Sequence, residues 1–208
     1  MKFTKIPEDA FKQIQLNAGV LLTDFKPTDG SMKMNDLVGA TSGGLNFNAT
    51  PTYTDFGEDI DNCPKNMKEL KQLDSWEIKL SGTFVTIDSK AAKMLVGAAD
   101  EADGKITPRN DVLLTDFQDL WWVGDYSSDN SDSTGGFIAI KMMNTLSTGG
   151  FQIQSTDKGK GQFAFEFTAH YSMDAQDTVP FEAYVKAGTA EAAKLNTKEP
   201  VKVSSTSK

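Results

Sequence analysis

The sequence is poor in the residue types that most metal sites and redox sites require. Its 208 residues include one cysteine and one histidine. A single cysteine excludes an internal disulfide bond and is typical of a chain that folds in a reducing compartment. With so few soft ligands, a zinc site is not predicted, and we expect no cofactor.

Positive charge and long apolar runs are also scarce. The chain has 21 lysines and arginines against 29 aspartates and glutamates, which gives a net charge of −8. A nucleic-acid-binding protein needs a basic surface to displace counterions, so this balance argues against that class. It does not exclude a protein that lets nucleic acid pass without binding it. No run of about 18 apolar residues occurs, so no membrane span is predicted.

The usual catalytic motifs are missing too. The sequence has no nucleophile elbow, phosphate-binding loop or dinucleotide fingerprint. His170 falls on the polar side of a predicted strand, where a solvated or cross-strand-paired histidine is favoured over a general base. The acidic residues Asp55, Glu58, Asp59 and Asp61 lack the spacing and the glycine of a calcium loop. We therefore expect no catalytic residue and no metal site.

What the sequence does contain is a long alternating strand followed by an apolar helix. Ser75–Ile87 alternates between two faces and predicts a strand of about 43 Å. Ser89–Ala99 predicts a helix, with Asp88 or Ser89 as its N-cap. This helix is apolar nearly all round, which indicates that more than one layer covers it.

The rest of the chain is predicted to be mostly strands joined by turns. A short helix is predicted from Pro7 to Leu16 and a loop over Glu101–Asp111. Alternation or apolar runs predict further strands at Val20–Phe25, Gly43–Tyr53, Val112–Ser127, Gly136–Thr145, Gly150–Ser155, Gly161–Met173 and Val179–Gly188. The predicted fold class is mainly β, an antiparallel sandwich or barrel with one flanking α-helix and a long inter-strand loop.

One hexapeptide occurs twice. The letters VLLTDF stand at Val20–Phe25 and again at Val112–Phe117. Two strands in matched positions, or a duplication, would explain the repeat, and local convergence is the alternative.

The long inter-strand loop is predicted over Ala49–Asp74. Its first half is acidic, its second half carries lysines, and a short helix could start at Pro64. A connection of this length is unusual inside a compact domain and tends to be functional.

Two predicted strands, Val112–Ser127 and Gly136–Thr145, have large apolar side chains on both faces. Adjacent strand residues point to opposite faces, so Trp121 and Trp122 cannot enter the same core. We expect one to be core and the other to lie near a subunit contact or the helix. Phe137–Met143 is apolar on both faces, which a helix on one side or a subunit interface would explain. The interface candidates are Trp121, Trp122, Ile138, Ile140 and Met142.

Four stretches of the chain carry a resemblance to a known family. Ile6–Leu22, Gly39–Asp88, Thr115–Ser127 and Thr134–Lys141 resemble the major tail tube proteins of long, non-contractile-tailed bacteriophages of Gram-positive hosts. The resemblance implies one tail tube β-sandwich domain over 1–186, with 187–208 as a C-terminal extension.

The family's function is what the resemblance implies for this chain. A non-enzymatic virion protein would form hexameric rings that stack into a tail tube, the conduit for DNA during ejection. The partners would be other copies of the chain, a tape-measure protein and the tail terminator and tip proteins. Assembly would take place in the host cytoplasm, without a membrane. Like charge in the lumen would keep DNA from binding the wall, within a Debye length of about 10 Å.

In this family the long loop contacts the neighbouring ring. Here that role would fall to Ala49–Asp74, which we expect to be poorly ordered before stacking. The candidates for the inter-ring contact are Phe56, Glu58, Asp59, Asp61, Lys65, Lys68, Leu70 and Lys71.

Two other classes of function remain open at this stage. A monomeric ligand-binding or carbohydrate-binding β-sandwich module would use exposed Trp121 or Trp122 as a stacking platform. A hydrolase on the same scaffold would need a convergent pair of acids, which the spacing of the residues does not reveal.

Overall fold

The computed structural model describes residues 14–28, 30–126 and 136–186, and the architecture below refers to these ranges. Within them the chain forms one α-helix and nine strands. The strands are β1 (Gln15–Leu22), β2 (Thr41–Asp55), β3 (Lys71–Phe84), β4 (Ala99–Ala102), β5 (Lys105–Pro108), β6 (Gln118–Tyr126), β7 (Gly136–Ser147), β8 (Phe163–Thr168) and β9 (Phe181–Lys186), and the helix is α1 (Ser89–Val96). None of the described helices has the length and apolar character that crossing a bilayer requires.

Seven of the strands form one antiparallel sheet. Its order is β1-β6-β7-β8-β3-β2, and β9 also pairs with β7. The long strand β7 pairs with β6 and β9 along most of its length, but its last residues, Leu146 and Ser147, pair with β8. The sheet therefore bends at β7, and its two halves face each other. The predicted fold class, mainly antiparallel β with one α-helix, is confirmed.

The main core lies between the two halves of the sheet. Ile78, Leu80 and Phe84 enter it from β3, as the alternation of that strand predicts. The other half of the sheet and the helix supply residues that include Leu21, Leu120, Met142, Met94 and Leu95. The central strand is thus identified correctly, although it starts at Lys71 and ends at Phe84 rather than spanning Ser75–Ile87.

The helix has the predicted start and an earlier end. Asp88 is the N-cap, and its Oδ1 accepts a hydrogen bond of 2.7 Å from the N–H of Ala91. Gly97 ends the helix with φ +81°, a conformation that glycine adopts without the steric cost of a Cβ atom. The chain then enters β4 at Ala99, which the sequence analysis placed in the helix.

A second, smaller cluster covers the other face of β1 and β6. The segment after β1 folds back over this face and brings Phe25 against Leu22, Trp121 and Ala139. Trp121 is only 6% exposed. Trp122 points to the opposite face, is half-buried, and its Nε1–H donates to the carbonyl oxygen of Ala18 at 3.0 Å. The two tryptophans therefore do occupy opposite faces, and Trp121 is the core residue.

The prediction of one polar loop over Ala49–Asp74 is wrong. Strand β2 continues to Asp55, and β3 begins at Lys71, so both ends of the segment are paired strand. Only Phe56–Leu70 forms the connection, and its helical content is one 3-10 turn at Lys68–Leu70. The two strands are held by backbone hydrogen bonds to each other. They do not need the buried apolar face from which a strand is predicted in a sequence.

Four further predictions need correction or fall outside the described ranges. Gln15 and Leu16 belong to β1 and Ile14 is not helical, so the helix predicted from Pro7 is wrong at its end, and its residues 7–13 lie outside the described ranges. Glu101–Asp111 contains most of the β4–β5 hairpin instead of a loop. Gly150–Ser155 is not a strand and makes a single bridge at Gln154. The extension 187–208 also lies outside the described residues.

The repeated hexapeptide has two different structures. In the first copy Val20–Leu22 belongs to β1, where Leu21 and Leu22 are buried. In the second copy Leu114–Asp116 forms a 3-10 turn, and Leu114 is 90% exposed. The prediction of two strands in matched positions is therefore wrong, since the surroundings of each copy decide its conformation.

Candidate functional site

The β2–β3 hairpin extends beyond the rest of the sheet. Strand β8 pairs with β3 only from Lys79 onward, and the N–H of Trp76 donates to the Tyr171 hydroxyl at 3.0 Å. Beyond Trp76, most side chains of both strands are exposed. We call Thr52–Ser75 the arm. Its paired part from Lys71 to Ser75 adds about 13 Å at 3.3 Å per residue, and the connection Phe56–Leu70, which we call the tip, extends it further.

One carboxylate closes the base of the tip. Asp55 Oδ1 accepts from the N–H of Gly57 at 2.9 Å, and Oδ2 accepts from the N–H of Asn66 at 2.8 Å. The N–H of Phe56 also donates to the carbonyl of Leu70 at 3.0 Å. The backbone hydrogen bonds from Asn66 and then Gly57 hold the pKa of Asp55 below its ordinary value. Asp55 is therefore an organising residue of the tip, and its carboxylate is occupied by backbone amides.

The interior of the tip is small but packed. A Cβ atom on Gly57 would lie 3.2 Å from both Cys63 Sγ and Leu70 Cδ1, so only glycine fits this position without displacement of its neighbours. Leu70, proposed above as an inter-ring residue, is half-buried in this interior. The structure of the single chain pairs both strands of the arm and closes its tip. The low order of Ala49–Asp74 before stacking stays a prediction.

The outer surface of the arm combines apolar and charged side chains. Phe56 is 56% exposed, and the arm also exposes Tyr53, Ile60, Met67 and Leu73. Large apolar side chains grouped on a projecting element are typical of an interaction surface. The other predicted inter-ring residues are exposed here, namely Glu58, Asp59, Asp61, Lys65, Lys68 and Lys71. The structure thus places all of these candidates on one element, together with four exposed apolar residues that the sequence analysis did not select.

The subunit-interface candidates are less exposed than the arm. Trp121 and Met142 are buried within the chain, so they have almost no surface left for a partner. Ile140 is half-buried and packs against the main core. Ile138 and Trp122 are half-buried and retain accessible surface. Of the five candidates, these last two can contribute most to a contact between copies.

The described residues do not assemble a recognisable catalytic or metal centre. No group of three or more His, Cys, Asp or Glu side chains in the described ranges could hold a metal ion. His170 Nδ1 lies 3.1 Å from the carbonyl oxygen of Asn144, to which it donates, and its ring meets the edge of Phe117. His170 lies beyond the end of β8 at Thr168, so its predicted position on a strand is wrong, but its ring and its backbone N–H are both hydrogen-bonded to the backbone of β7.

A nearly buried ion pair is the main feature that the sequence analysis missed. Arg109 donates through one nitrogen to both carboxylate oxygens of Asp116, at 2.6 and 2.7 Å. The side chain of Asp116 is only 2% exposed and also accepts from the N–H of Leu113 at 2.9 Å. Because the N–H of Arg109 donates to the carbonyl of Ala98, this pair ties the segment before β6 to the end of the helical region. We call Arg109 and Asp116 the clamp.

The clamp predicts a pH dependence of stability. Burial by itself would raise the pKa of Asp116, but the hydrogen bond from Leu113 and the guanidinium of Arg109 together hold it below the ordinary value of 3.8. The ionised carboxylate therefore stabilises the fold above pH 3.8, and this contribution is lost as the pH falls through the lower pKa of the folded state. We expect the Asp116→Asn variant to be less stable at neutral pH and to lose less stability on acidification.

Urea unfolding of both proteins between pH 2 and 7 would measure this difference. Asp111→Asn is a matched control, because the Asp111 side chain is 70% exposed and lies 3.7 Å from Arg109. Parallel pH profiles for the wild-type protein and the Asp116→Asn variant would contradict the assignment.

Comparisons with known proteins give little further information. No family model matches the chain, and no curated protein matches it. Solved structures do match, among them a chain from the virion of a native gene transfer agent particle. That likeness covers 74% of this chain and 92% of the other, at 8% sequence identity and a TM-score of 0.40. A similarity at this level is too low to support an inference about fold or function, which must come from the structure of the chain itself.

Proposed function

We propose that this chain is a structural protein of a phage-type virion and the subunit of its tail tube. Copies of the chain form hexameric rings, and the rings stack into a conduit for DNA. The observation that carries the proposal is the arm, a paired and closed hairpin that exposes apolar side chains far from the core of its own subunit. The sequence resemblance described above supplies the family to which such an arm would belong.

The edges of the sheet support assembly as well. Within the described residues, no strand pairs with the outer edge of β2 or with the outer edge of β9. An open edge presents unpaired N–H and C=O groups that a strand of another chain can complete. Side-by-side copies in a ring would satisfy these groups, and the acidic chain would then line or surround a channel that does not retain DNA.

The carbohydrate-binding alternative loses its main support. It required an exposed tryptophan as a stacking platform, but Trp121 is buried and Trp122 is half-buried with its indole N–H engaged. Three depressions on the surface of the described residues hold about 130 to 220 Å³ each. Pockets for drug-sized ligands usually have about 300–1,000 Å³.

Self-assembly without a cofactor is the test of this proposal. Sedimentation velocity over a concentration series should show large assemblies that grow with concentration, since each exposed contact is weak and many must form together. A strictly monomeric profile up to high concentration, also after long incubation, would contradict it. The tape-measure, terminator and tip proteins are further proposed partners, and none of them is needed for this experiment.

A further inference from the structure

The arm needs a receiving surface, and the described part of the chain contains one with complementary charge. We propose that the tip of one copy docks against a depression beside α1 of a second copy, an inference that rests on the proposed function and specifies its ring-to-ring contact. The depression has a volume of about 220 Å³ and is lined by Lys90, Lys93, Met94, Gly97, Thr115, Asp116 and Gln118.

The charge on the two surfaces is opposite. Between Phe56 and Asp61 the tip carries three acids and no base, and Glu58, Asp59 and Asp61 are exposed. Among the described residues, none of these three acids forms an ion pair within its own chain. They are therefore available to a positively charged partner surface.

The depression is positively charged where it is open to solvent. Lys90 and Lys93 lie on one side of α1, and neither forms an ion pair with a carboxylate in the described ranges. Asp116 also lines the depression, but its side chain is only 2% exposed and is paired with Arg109, which also faces the exposed carboxylates of Asp100 and Asp111 outside the lining. Among the residues that line the depression, the exposed charge thus comes from the two lysines.

Apolar side chains accompany the charges on both surfaces. Phe56 and Ile60 are exposed on the acidic side of the tip. Beside the depression, Thr115 continues directly from Val112, Leu113 and Leu114, which are all exposed. The clamp holds this segment in place through the hydrogen bond that the N–H of Leu113 donates to Asp116 at 2.9 Å. A surface that is ordered before binding avoids part of the entropic cost of association.

The tip of a subunit cannot reach its own depression. The helix shares the main core with Ile78, Leu80 and Phe84 in the second half of β3, whereas the tip ends at Leu70, directly before the first residue of β3. At 3.3 Å per residue, Lys71 and Ile78 are about 23 Å apart along a paired strand, so the tip lies at the opposite end of β3 from the part that shares the core with the helix. Docking therefore has to join two copies, and in a stack of rings the contact is heterologous and repeats along the axis.

Charge reversal tests the contact. Lys90→Glu with Lys93→Glu should leave ring formation intact and reduce the mass of protein in tubes at least tenfold, as judged by electron microscopy and pelleting. The triple variant Glu58→Lys, Asp59→Lys, Asp61→Lys should show the same loss. A chain that carries both sets of changes should recover tubes, because the opposite charges face each other again. Thermal unfolding checks that each variant is folded. A glutamate at position 90 lies in the first turn of α1, where it is tolerated, but Lys93 lies in the last turn, so the milder pair Lys90→Gln with Lys93→Gln is tested alongside and should also reduce tubes.

A second basic segment provides the matched control. Lys158 and Lys160 are exposed on the loop before β8, whose first residue, Phe163, pairs with Phe84. This loop therefore lies at the same end of β3 as α1. Lys158→Glu with Lys160→Glu makes the same change of charge and should leave tubes unchanged.

The outcomes separate the inference from the proposed function. Wild-type tubes together with normal tubes from the Lys90/Lys93 variant would overturn the docking site and leave the tail tube function standing. Loss of tubes in the Lys158/Lys160 variant alone would also overturn it, since the receiving surface would then be the other loop. Absence of rings and tubes in the wild-type protein would overturn both.

Discussion

Replacing Trp121 with alanine should lower the free energy of unfolding by about 3–5 kcal/mol. Trp121 is 6% exposed and packs between Phe25 and Tyr184, with ring centroids 5.6 and 5.7 Å away. It is the largest side chain in the small cluster that attaches the segment after β1 to the sheet. Its removal leaves a cavity and also frees that segment from the sheet.

Urea unfolding of the Trp121→Ala variant measures this loss, and Trp122→Ala is the matched control. Trp122 is half-buried and makes one indole hydrogen bond, so its truncation should cost clearly less stability. The variant at Trp122 should instead weaken assembly, if its remaining surface meets a neighbouring copy. Equal losses for the two variants, or a loss below about 1 kcal/mol for Trp121→Ala, would show that the assignment of the core residue is wrong.

Removing the tip of the arm should abolish tubes without unfolding the protein. Asp55 and Lys71 are paired across β2 and β3, so a two-residue Asn-Gly turn can replace Phe56–Leu70 and keep the register of the hairpin. The core residues lie outside the replaced segment, and we expect the stability of the fold to change little. Rings should still form, because the edges of the sheet are intact.

Electron microscopy and pelleting of the shortened protein test this expectation. Asp103→Asn is a suitable control, since it places the same Asn-Gly turn at the tip of the β4–β5 hairpin, far along the chain from the arm. Tubes of normal length from the shortened protein would move the stacking contact away from the arm. A monomeric shortened protein would instead assign the arm to contacts within the ring.

Strands with one buried face could be predicted from the sequence. The alternation in β3 and β8 places Ile78, Leu80, Phe165 and Phe167 in the core, as expected. The helix was also identifiable, because Asp88 and the apolar stripe mark its start and its buried side. In these elements the local pattern and the tertiary burial agree, which is the condition for reading structure from sequence.

Most of the arm, between Tyr53 and Ser75, could not be predicted because it has no buried face. Thr52–Asp55 and Lys71–Ser75 are mostly exposed on both sides, and their conformation comes from pairing with each other across the sequence. A hydrophobic period of two is therefore not present to be found. The inter-ring candidates nevertheless all lie on the arm. They were selected because the segment Ala49–Asp74 is long and charged, and this criterion does not depend on hydrophobic periodicity.

The β4–β5 hairpin and the clamp were both missed, but only the hairpin has a recognisable signal in the sequence. The β4–β5 hairpin had a usable signal, since Asp103-Gly104 adopts positive φ at both residues, as the Asp-Gly pair in a tight hairpin turn does. The clamp had no such signal, because Arg109 and Asp116 are seven residues apart in a segment without a strand or helix period. The repeated hexapeptide at Val112–Phe117 was a misleading signal. Its sequence is identical to that of Val20–Phe25 and suggested a strand, but Leu114–Asp116 forms a 3-10 turn.

The most direct test of the tail tube proposal is negative-stain electron microscopy of the purified chain at high concentration, without added partners or cofactors. We predict rings with six-fold symmetry in end views and stacked tubes with a central channel in side views. Fields of isolated globular particles at every concentration, after prolonged incubation, would contradict the proposal that this protein builds a tube.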